Sequence, residues 1–369
     1  MFKPIKTLSR SETENLIEGA VVLGCGGGGD PDIARDIVDT LFAQGKELRL
    51  MNLDDLDDHA WVAILGYVGG GVSPEEIAAN QDVPRVWETP ILQAAEQLAG
   101  HLNVQFDAYL CSEIGAGNII ANFLVAAMEG KPIIDGDAIG NRAKPELSIS
   151  LTSLVGLSVA PLAATTHYGD VIILDKVSDT FRAEYLCRYL SRASSGRLAV
   201  ARCPSKGAEI KKAMQPNSIS LAMEIGRIIR EEKHHKIDKM INVTGGKKLF
   251  EGTITKVTRE NRDGFVWGDI HFNGRGEEAG KKYHIWFKNE NLVSWKDEVL
   301  DATCPDLIMI VEADSGKGVY NWGSQLAEGK EVMVIGMSAT EPWQTARGFE
   351  IFGPKHFGFD FQAKPLSAR

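Results

Sequence analysis

The sequence predicts an α/β amino-terminal domain with a mainly parallel sheet, followed by a β-rich carboxyl-terminal domain that forms a small antiparallel sheet or barrel. Strand patterns alternate with helix patterns along the first half, which is typical of a parallel sheet. From about residue 245 to residue 350, apolar residues recur with a period of two between turn signals. The length of 369 residues also corresponds to about two domains. We therefore predict domains at 1–168 and 169–369.

Two predicted helices flank a glycine-rich loop near the amino terminus. Ser11 and Glu14 match a capping box that opens the first helix. The second helix has Asp30 as its N-cap and Pro31 as its first residue. Between these helices lies the loop 25–29, which consists of one cysteine and four glycines.

The remaining elements follow from apolar runs and their spacing. In the first half, the predicted strands are 61–68, 106–111 and 132–134, and the predicted helices open at Ser73, Thr89 and Asn118. In the second half, the predicted strands are 171–174, 250–257, 265–272, 283–287, 307–311 and 330–335, and the predicted helices are 180–191 and 218–232.

Composition and charge exclude several classes of function. Residues 1–168 contain 10 Lys and Arg against 23 Asp and Glu, a balance of −13, which argues against a nucleic-acid surface. The apolar runs are far shorter than the roughly 20 residues that a membrane helix needs. The five cysteines include no Cys-x-x-Cys pair, which favours reduced thiols over a disulfide framework. We therefore expect a cytoplasmic protein that binds neither nucleic acid nor membrane.

Glycines and acidic residues follow three of the predicted strands. Gly70 and Gly71 come after the first strand, Glu113 after the second, and Asp135 and Asp137 after the third. Because ligands bind beyond the carboxyl ends of parallel strands, we expect the three acids to converge on one crevice. Converging carboxylates raise one another's pKa, so that one can act as an acid and another as a base. The alternative is that Glu113 caps a helix and the two aspartates form a turn.

The glycine loop 25–29 is a candidate for binding an anion through its backbone N–H groups. The helix that opens near Asn118 would direct its positive end toward the same crevice. The loop lacks the Lys-Ser/Thr pair of a nucleotide P-loop and follows a helix, so a nucleotide site is not expected. Cys25 precedes a helix N-terminus and is either an activated thiol or, in the favoured interpretation, a small side chain packed in a tight turn.

Several motifs together indicate a known family. They are SEIGAGN at 112–118, DGD at 135–137, GNRAKPEL at 140–147, PDLI at 305–308, PW at 342–343 and GPKHFGFD at 353–360. With the glycine loop, they resemble the S-methyl-thiohydantoin-desulfurase-like family, whose members are similar to accessory proteins of hydantoinase and oxoprolinase systems. The resemblance covers nearly the whole chain. The chain differs from the family pattern at Asn141, which is inserted, and at Lys144, which replaces an aromatic residue. These differences predict a changed pocket wall.

The resemblance implies a hydrolase-like enzyme that acts on a hydantoin or thiohydantoin ring. In this hypothesis, water adds at the ring carbon that bears sulfur, and the tetrahedral intermediate collapses with loss of sulfide or a thiol. Asp135 or Asp137 is the predicted base, and Glu113 is its partner. Asn141 and Arg142 would position the ring or an acidic substituent, while glycine N–H groups would stabilise the developing charge. The predicted substrate-binding residues are Gly26, Gly27, Gly28, Gly29, Gly70, Gly71, Asn118, Asn141, Arg142 and Glu146.

The expected partners are a small heterocyclic substrate and further copies of the chain. We expect a homo-oligomer only because homo-oligomers are common among proteins. The histidines show no metal-ligand spacing, but the loss of sulfur would favour a soft divalent metal such as zinc beside the carboxylates. Two alternatives to catalysis remain open. One is a non-catalytic accessory or ligand-binding subunit of a hydantoinase/oxoprolinase system, and the other is an inherited pocket without activity.

Overall fold

A computed structural model describes residues 5–366 of the chain. The helices are α1 (Arg10–Leu23), α2 (Pro31–Ala43), α3 (Pro74–Ala78), α4 (Pro90–Leu102), α5 (Ala116–Glu129), α6 (Leu151–Leu154), α7 (Thr180–Ala193), α8 (Gly207–Ile210), α9 (Ser218–Glu231), α10 (Lys236–Thr244) and α11 (Ala346–Phe352). The strands are β1 (Lys6–Thr7), β2 (Arg49–Met51), β3 (Trp61–Gly69), β4 (Ala108–Cys111), β5 (Ile133–Asp137), β6 (Leu162–Thr165), β7 (Val171–Leu174), β8 (Arg197–Lys206), β9 (Gln215–Pro216), β10 (Lys247–Arg262), β11 (Phe265–Gly274), β12 (Lys282–Lys288), β13 (Glu290–Lys296), β14 (Val299–Thr303), β15 (Leu307–Glu312) and β16 (Glu331–Met337). Within this part of the chain, no helix has the length and apolar character to cross a bilayer.

The first half is built on a mixed sheet of nine strands. Its order is β1-β2-β5-β4-β3-β8-β6-β7, and β9 pairs with β5. The neighbours β2, β5, β4 and β3 are parallel, whereas β8, β6 and β7 continue the sheet in antiparallel pairs. The carboxyl ends of β3, β4 and β5 therefore lie at one edge. This sheet confirms the predicted α/β architecture.

Helices cover both faces of this sheet. Along β3, Ala63 and Leu65 face α4 and α5, while Val62 and Ile64 face α7 on the other side. This alternation follows from the period of two in a strand. Because both faces are covered, the central strands β3 and β4 are apolar throughout, as expected of a buried parallel sheet.

The second half forms an antiparallel sheet of seven strands in the order β14-β13-β12-β11-β10-β16-β15. This sheet confirms the predicted β-rich half. Helix α1 packs against both halves, because Leu307 and Met309 of β15 belong to the same apolar core as Leu16 and Ile17. The turn between β12 and β13 approaches the glycine loop, where Asn291 N donates to the carbonyl oxygen of Cys25 at 2.7 Å.

The predicted boundary at residue 168 falls between two paired strands. β6 and β7 are antiparallel neighbours on either side of it, and β8 lies between β3 and β6 in the same sheet. The second part of the sequence thus contributes strands to the first sheet. The boundary itself stays a prediction.

Two local predictions were wrong by a few residues. The capping box of α1 is formed by Ser9 and Glu12, not by Ser11 and Glu14, although both pairs have the same spacing. The third strand of the parallel set continues to Asp137, because β9 pairs with Gly136 and Asp137. The two aspartates are therefore part of the strand instead of following its end.

Helices α1 and α9 cross at very short range through glycines. A Cβ atom added to Gly226 of α9 would lie 1.8 Å from the carbonyl oxygen of Asn15, and one added to Gly19 of α1 would lie 1.8 Å from that of Ala222. Both clashes involve backbone atoms, which cannot move without separating the helices. The two glycines therefore set the distance between α1 and α9.

We expect Gly226→Ala to lower the free energy of unfolding by about 1–3 kcal/mol, the usual cost of overpacking. Gly100→Ala in α4 is the matched control, because a Cβ there meets nothing within 4 Å, and alanine should stabilise the helix by roughly 0.5–1 kcal/mol. Urea denaturation of both variants measures the difference. Equal stability of Gly226→Ala and the wild type would contradict the close helix crossing.

Candidate functional site

A cavity of about 380 Å³ lies between the two sheets, at the carboxyl ends of β3 and β4. Its lining comes from the glycine loop, the segments that follow β3, β4 and β5, the start of β8, and the turn between β12 and β13. Ile33 and Trp322 contribute apolar lining that is 45% and 44% exposed, respectively, so they mark the entrance. The buried part of the lining combines apolar residues such as Val68 and Val200 with the charged residues Glu113, Lys144 and Arg202.

Some of the predicted site residues line this cavity and others do not. Those that line it are Gly28, Gly29, Gly70, Glu113, Asn118 and Glu146. Those outside its lining are Gly26, Gly27, Gly71, Asp135, Asp137, Asn141 and Arg142. The predicted convergence of Glu113 with the two aspartates therefore does not occur at the cavity, and the roles proposed for these residues stay predictions.

Asp135 binds the first turn of α9. Its Oδ1 atom accepts from the backbone N–H groups of Ile219 and Ser220 at 3.0 and 3.1 Å, and its Oδ2 atom accepts from the Ser220 hydroxyl. These donors are the groups that a helix leaves unpaired at its N-terminus. Asp135 thus caps α9 from a neighbouring strand.

Asp137 organises the loop that follows β5. Its carboxylate accepts from the backbone N–H groups of Ile139, Gly140 and Asn141 at 2.6, 2.5 and 2.7 Å. Burial raises the pKa of Asp137, although these hydrogen bonds oppose the shift. The residue holds the loop from which Lys144 and Glu146 reach the cavity.

Arg142 joins the two halves of the molecule from outside the cavity. It is 1% exposed, and its Nη1 atom donates to the carbonyl oxygens of Pro305 and Asp306 at 2.7 and 2.8 Å. Its guanidinium also lies 4.7 Å from the ring centre of Phe352. These contacts with the second half fix the loop after β5.

The glycine loop packs backbone against backbone on the start of α5. A Cβ atom on Gly28 would lie 2.3 Å from Gly115 Cα, and one on Gly29 would lie 3.0 Å from Gly117 Cα. Gly28 and Gly29 also have φ angles of 84° and 89°, which favour glycine. The loop therefore needs glycine for conformation and for close approach to α5.

Cys25 is fully buried at the start of this loop. Burial raises the pKa of its thiol to about 11, so that the thiol stays protonated near neutral pH. A protonated thiol is a poor nucleophile. This favours the interpretation of Cys25 as a packed side chain.

Glu113 and Lys144 form the polar centre of the cavity. Glu113 Oε1 accepts from the Asn118 amide, and Oε2 lies 3.3 Å from the backbone N–H of Lys144. Burial raises the pKa of Glu113, although Lys144 and Asn118 oppose this shift. Burial and the Arg202 charge lower the pKa of Lys144 to about 8, against the attraction of Glu113.

Glu146 is held by two basic side chains. Its Oε1 atom accepts from Lys288 Nζ at 2.5 Å, and its Oε2 atom lies 2.9 Å from His356 Nε2. Burial raises its pKa, but His356 and Lys288 outweigh burial and hold it below its usual range. Glu146 therefore remains ionised and links the cavity wall to the second half.

Arg202 provides a buried cation with few partners. It is 2% exposed, and its described contacts are with Ser112 Oγ at 3.1 Å and Cys203 Sγ at 3.5 Å. Arg188, by contrast, is fully engaged with Glu184 and with backbone carbonyl oxygens. The guanidinium of Arg202 thus has donors that could meet an anionic group in the cavity.

Sequence reasoning did not assign six charged residues of the cavity to the site, namely Asp30, Lys144, Arg188, Arg197, Arg202 and Glu290. Lys144 lies within the GNRAKPEL motif, where its difference from the family pattern predicts only a changed pocket wall. Arg202 lies within β8, and Glu290 opens β13. Their approach to Glu113 depends on pairings between distant strands, for which the sequence contains no local signal.

The side chains that could bind a metal ion are dispersed in the described part of the chain. Among residues 5–366, no three His, Cys, Asp or Glu side chains are arranged to hold an ion. In the cavity, Glu113 and Glu290 both feel the charge of Lys144, and Glu146 pairs with Lys288. The zinc ion suggested by the chemistry of sulfur remains a prediction.

We expect Asp135→Ala to lower the free energy of unfolding by about 1 kcal/mol, because it removes the cap of α9. Asp36→Ala is the control, because Asp36 is exposed on α2, and such surface changes usually stay within about 0.5 kcal/mol. Chemical denaturation followed by circular dichroism measures both. Unchanged stability of Asp135→Ala would show that the cap contributes little.

Comparisons with known proteins agree with this architecture. Residues 11–176 match the model of the S-Me-THD-like N-terminal domain, and residues 178–366 match that of the S-Me-THD-like C-terminal domain. A crystal structure of a Chromobacterium violaceum protein, a structural genomics target, is similar in fold, with a TM-score of 0.80 and 21% identity over 98% of this chain and 100% of that one. The search of curated proteins found no match. The chain therefore belongs to the S-Me-THD-like family, as the sequence motifs indicated.

Proposed function

We propose that the protein hydrolyses a carbon–sulfur bond on a thiohydantoin ring bound in the cavity between the two sheets. Its family supports a role related to thiohydantoins. The observation that carries the proposal is that Glu113 and Lys144 are both buried and line one cavity, which Arg202 also lines. Such an arrangement supplies both a proton acceptor and stabilisation of negative charge.

Glu113 is the proposed general base. A buried carboxylate with a raised pKa accepts a proton more readily than an exposed one. The hydrogen bonds from Asn118 and from the backbone of Lys144 hold it in one orientation. It would take a proton from the water that attacks the ring carbon bearing sulfur. The earlier candidates, Asp135 and Asp137, act as positioning residues in this proposal.

Lys144 and Arg202 are proposed to stabilise the anion that forms on the ring. When water adds, negative charge develops on the ring nitrogen and on the neighbouring carbonyl oxygen. Fixed cations in a buried site stabilise such charge without reorganisation of solvent. Arg202 also suits a negatively charged substituent on the ring, because a guanidinium binds carboxylates through paired hydrogen bonds.

The size of the cavity suits a small heterocycle. Pockets for small ligands have volumes of about 300–1,000 Å³, and the cavity of about 380 Å³ lies near the lower limit. The apolar residues at the entrance, Ile33 and Trp322, would contact a substituent that extends from the ring. A macromolecular substrate would have to present a small group to reach Glu113.

A second candidate function is that of a ligand-binding subunit in a hydantoinase or oxoprolinase system. One surface feature favours a protein partner. Phe181, Tyr185 and Tyr189 lie along one face of α7 and are 40%, 52% and 55% exposed. Exposed aromatic stripes of this kind are typical of interaction surfaces. Catalysis and partner binding use different regions of the molecule and are compatible.

We expect the purified protein to release sulfide or thiol from at least one member of a panel of 2-thiohydantoins and S-methyl derivatives. Glu113→Gln should lower the rate by at least about a hundredfold, which is a common contribution of a general base. The assay follows thiol release with a colorimetric reagent. Metal analysis of the same sample tests the zinc prediction independently.

Glu129→Gln is the matched control for Glu113→Gln. Burial raises the pKa of Glu129 as well, and its carboxylate accepts from the Tyr109 hydroxyl at 2.7 Å, but it lies at the opposite end of α5. Its variant should retain the wild-type rate. Full activity of a folded Glu113→Gln would remove Glu113 from the mechanism, and binding without turnover by the wild type would favour the second candidate.

A further inference from the structure

We infer that Glu290, at the turn between β12 and β13, is the catalytic acid that donates a proton to the departing sulfur. This inference rests on the proposed function and adds a residue from the second half of the molecule to the site. It assigns opposite tasks to two buried carboxyl groups that line one cavity. Sequence motifs give no indication of this role.

The position of Glu290 is set by close contact with the glycine loop. The residue lines the cavity and is 2% exposed. A Cβ atom on Gly27 would lie 1.8 Å from Glu290 Oε1, so only glycine leaves room for the carboxyl group there. The other oxygen, Oε2, is buried and has no hydrogen-bond partner among the described residues. A buried polar atom without a partner is costly and suggests that a bound ligand supplies one.

Hydrogen bonding distinguishes Glu290 from Glu113. Glu113 accepts from the Asn118 amide and from the backbone N–H of Lys144, and both donors stabilise the ionised form. Glu290 Oε2 has no comparable donor. When two carboxyl groups share a buried site, the better-solvated one ionises and the other retains its proton. Glu113 is therefore the carboxylate and Glu290 the acid.

The charged and titratable groups around Glu290 support this assignment. Burial is the main cause that raises the pKa of Glu290 well above its usual range, and the charge of Glu113 acts in the same direction. Arg142 and Lys144, on the loop after β5, oppose the shift without reversing it. Cys25 faces it from the glycine loop with a neutral thiol, since its pKa is raised to about 11.

For an S-methyl substrate, Glu113 and Glu290 together account for the protons that enter and leave the substrate. A bond forms between the water oxygen and the ring carbon, and Glu113 accepts one proton of the water. The second proton moves to the ring nitrogen as the new carbonyl group forms. The carbon–sulfur bond breaks, and sulfur leaves with the electron pair and takes the proton of Glu290. The products are a hydantoin and methanethiol, and one proton returning from Glu113 to Glu290 restores the site.

The test compares leaving groups of different acidity in Glu290→Gln. An S-methyl substrate releases a weakly acidic thiol and needs a proton donor, whereas an S-(4-nitrophenyl) substrate releases a stable thiolate. We expect a rate loss of at least about a hundredfold for the first and less than about tenfold for the second. Glu113→Gln should slow both substrates. In the wild type, the rate with the S-methyl substrate should fall as pH rises through the pKa of Glu290, and Glu290→Gln should lose this decline.

Two further variants distinguish a loss of activity caused by the missing proton donor from a loss caused by misfolding. Gly27→Ala leaves Glu290 intact but displaces its carboxyl group, so it should reproduce the dependence on the leaving group. Glu18→Gln neutralises another buried carboxylate, which pairs with Arg35 at 2.7 Å on the α1 side of the molecule, and should retain the wild-type rates. Equal losses on both substrates in Glu290→Gln, or no loss, would overturn the assignment.

An infrared measurement tests whether the Glu290 carboxyl group is protonated, without requiring turnover. At pH 7, the wild type should show a protonated-carboxyl band that Glu290→Gln lacks and Glu18→Gln retains. Absence of such a band would overturn the assignment of Glu290 as the acid. If the band is present but the wild type releases no thiol from any substrate, the proposed function fails while the protonation state of Glu290 stands. The two failures are therefore distinguishable.

Discussion

The contact between the glycine loop and the first turn of α5 is the constraint on which the cavity depends. Gly28 approaches Gly115 so closely that neither position can carry a side chain. This contact brings the loop against the segment that contains Glu113, and Gly27 leaves the space that the carboxyl group of Glu290 occupies. A larger residue in the loop would separate the two halves of the site. The four glycines of the loop therefore act mainly through packing, and two of them, Gly28 and Gly29, line the cavity itself.

Burial of charge is the second determinant of the chemistry. Glu113, Lys144, Arg202 and Glu290 are all less than a tenth exposed and line one cavity. Removing such groups from water is unfavourable unless partners compensate for the lost hydration. Compensation is unequal, because Glu113 has two donors whereas Glu290 Oε2 has none. Because of this difference, the Glu113 and Glu290 carboxyl groups have different protonation states. The replacement of sulfur by oxygen at the ring carbon needs one group that accepts a proton and one that donates a proton.

Much of the fold could be predicted from the sequence because its signals are local. Pro31 after Asp30 opens α2 as expected, and the apolar run before Gly70 forms β3. The motifs also identified the family. The site was less predictable, since strand ends depend on pairing partners. β5 extends through Asp135 and Asp137 because residues 215–216, far along the chain, pair with it. As part of this strand, Asp135 caps α9 and Asp137 binds the loop after β5.

Glu290 is a site residue whose position could not be predicted from the sequence. It lies 177 positions from Glu113 in the sequence and reaches the cavity only because the turn after β12 contacts the glycine loop. The most direct test is a crystal structure of the protein with a bound hydantoin. We expect the ring to lie within hydrogen-bond distance, about 3 Å, of both the Glu113 and Glu290 carboxyl groups. A ring bound elsewhere, or in contact with only one of these groups, would overturn the roles proposed for them.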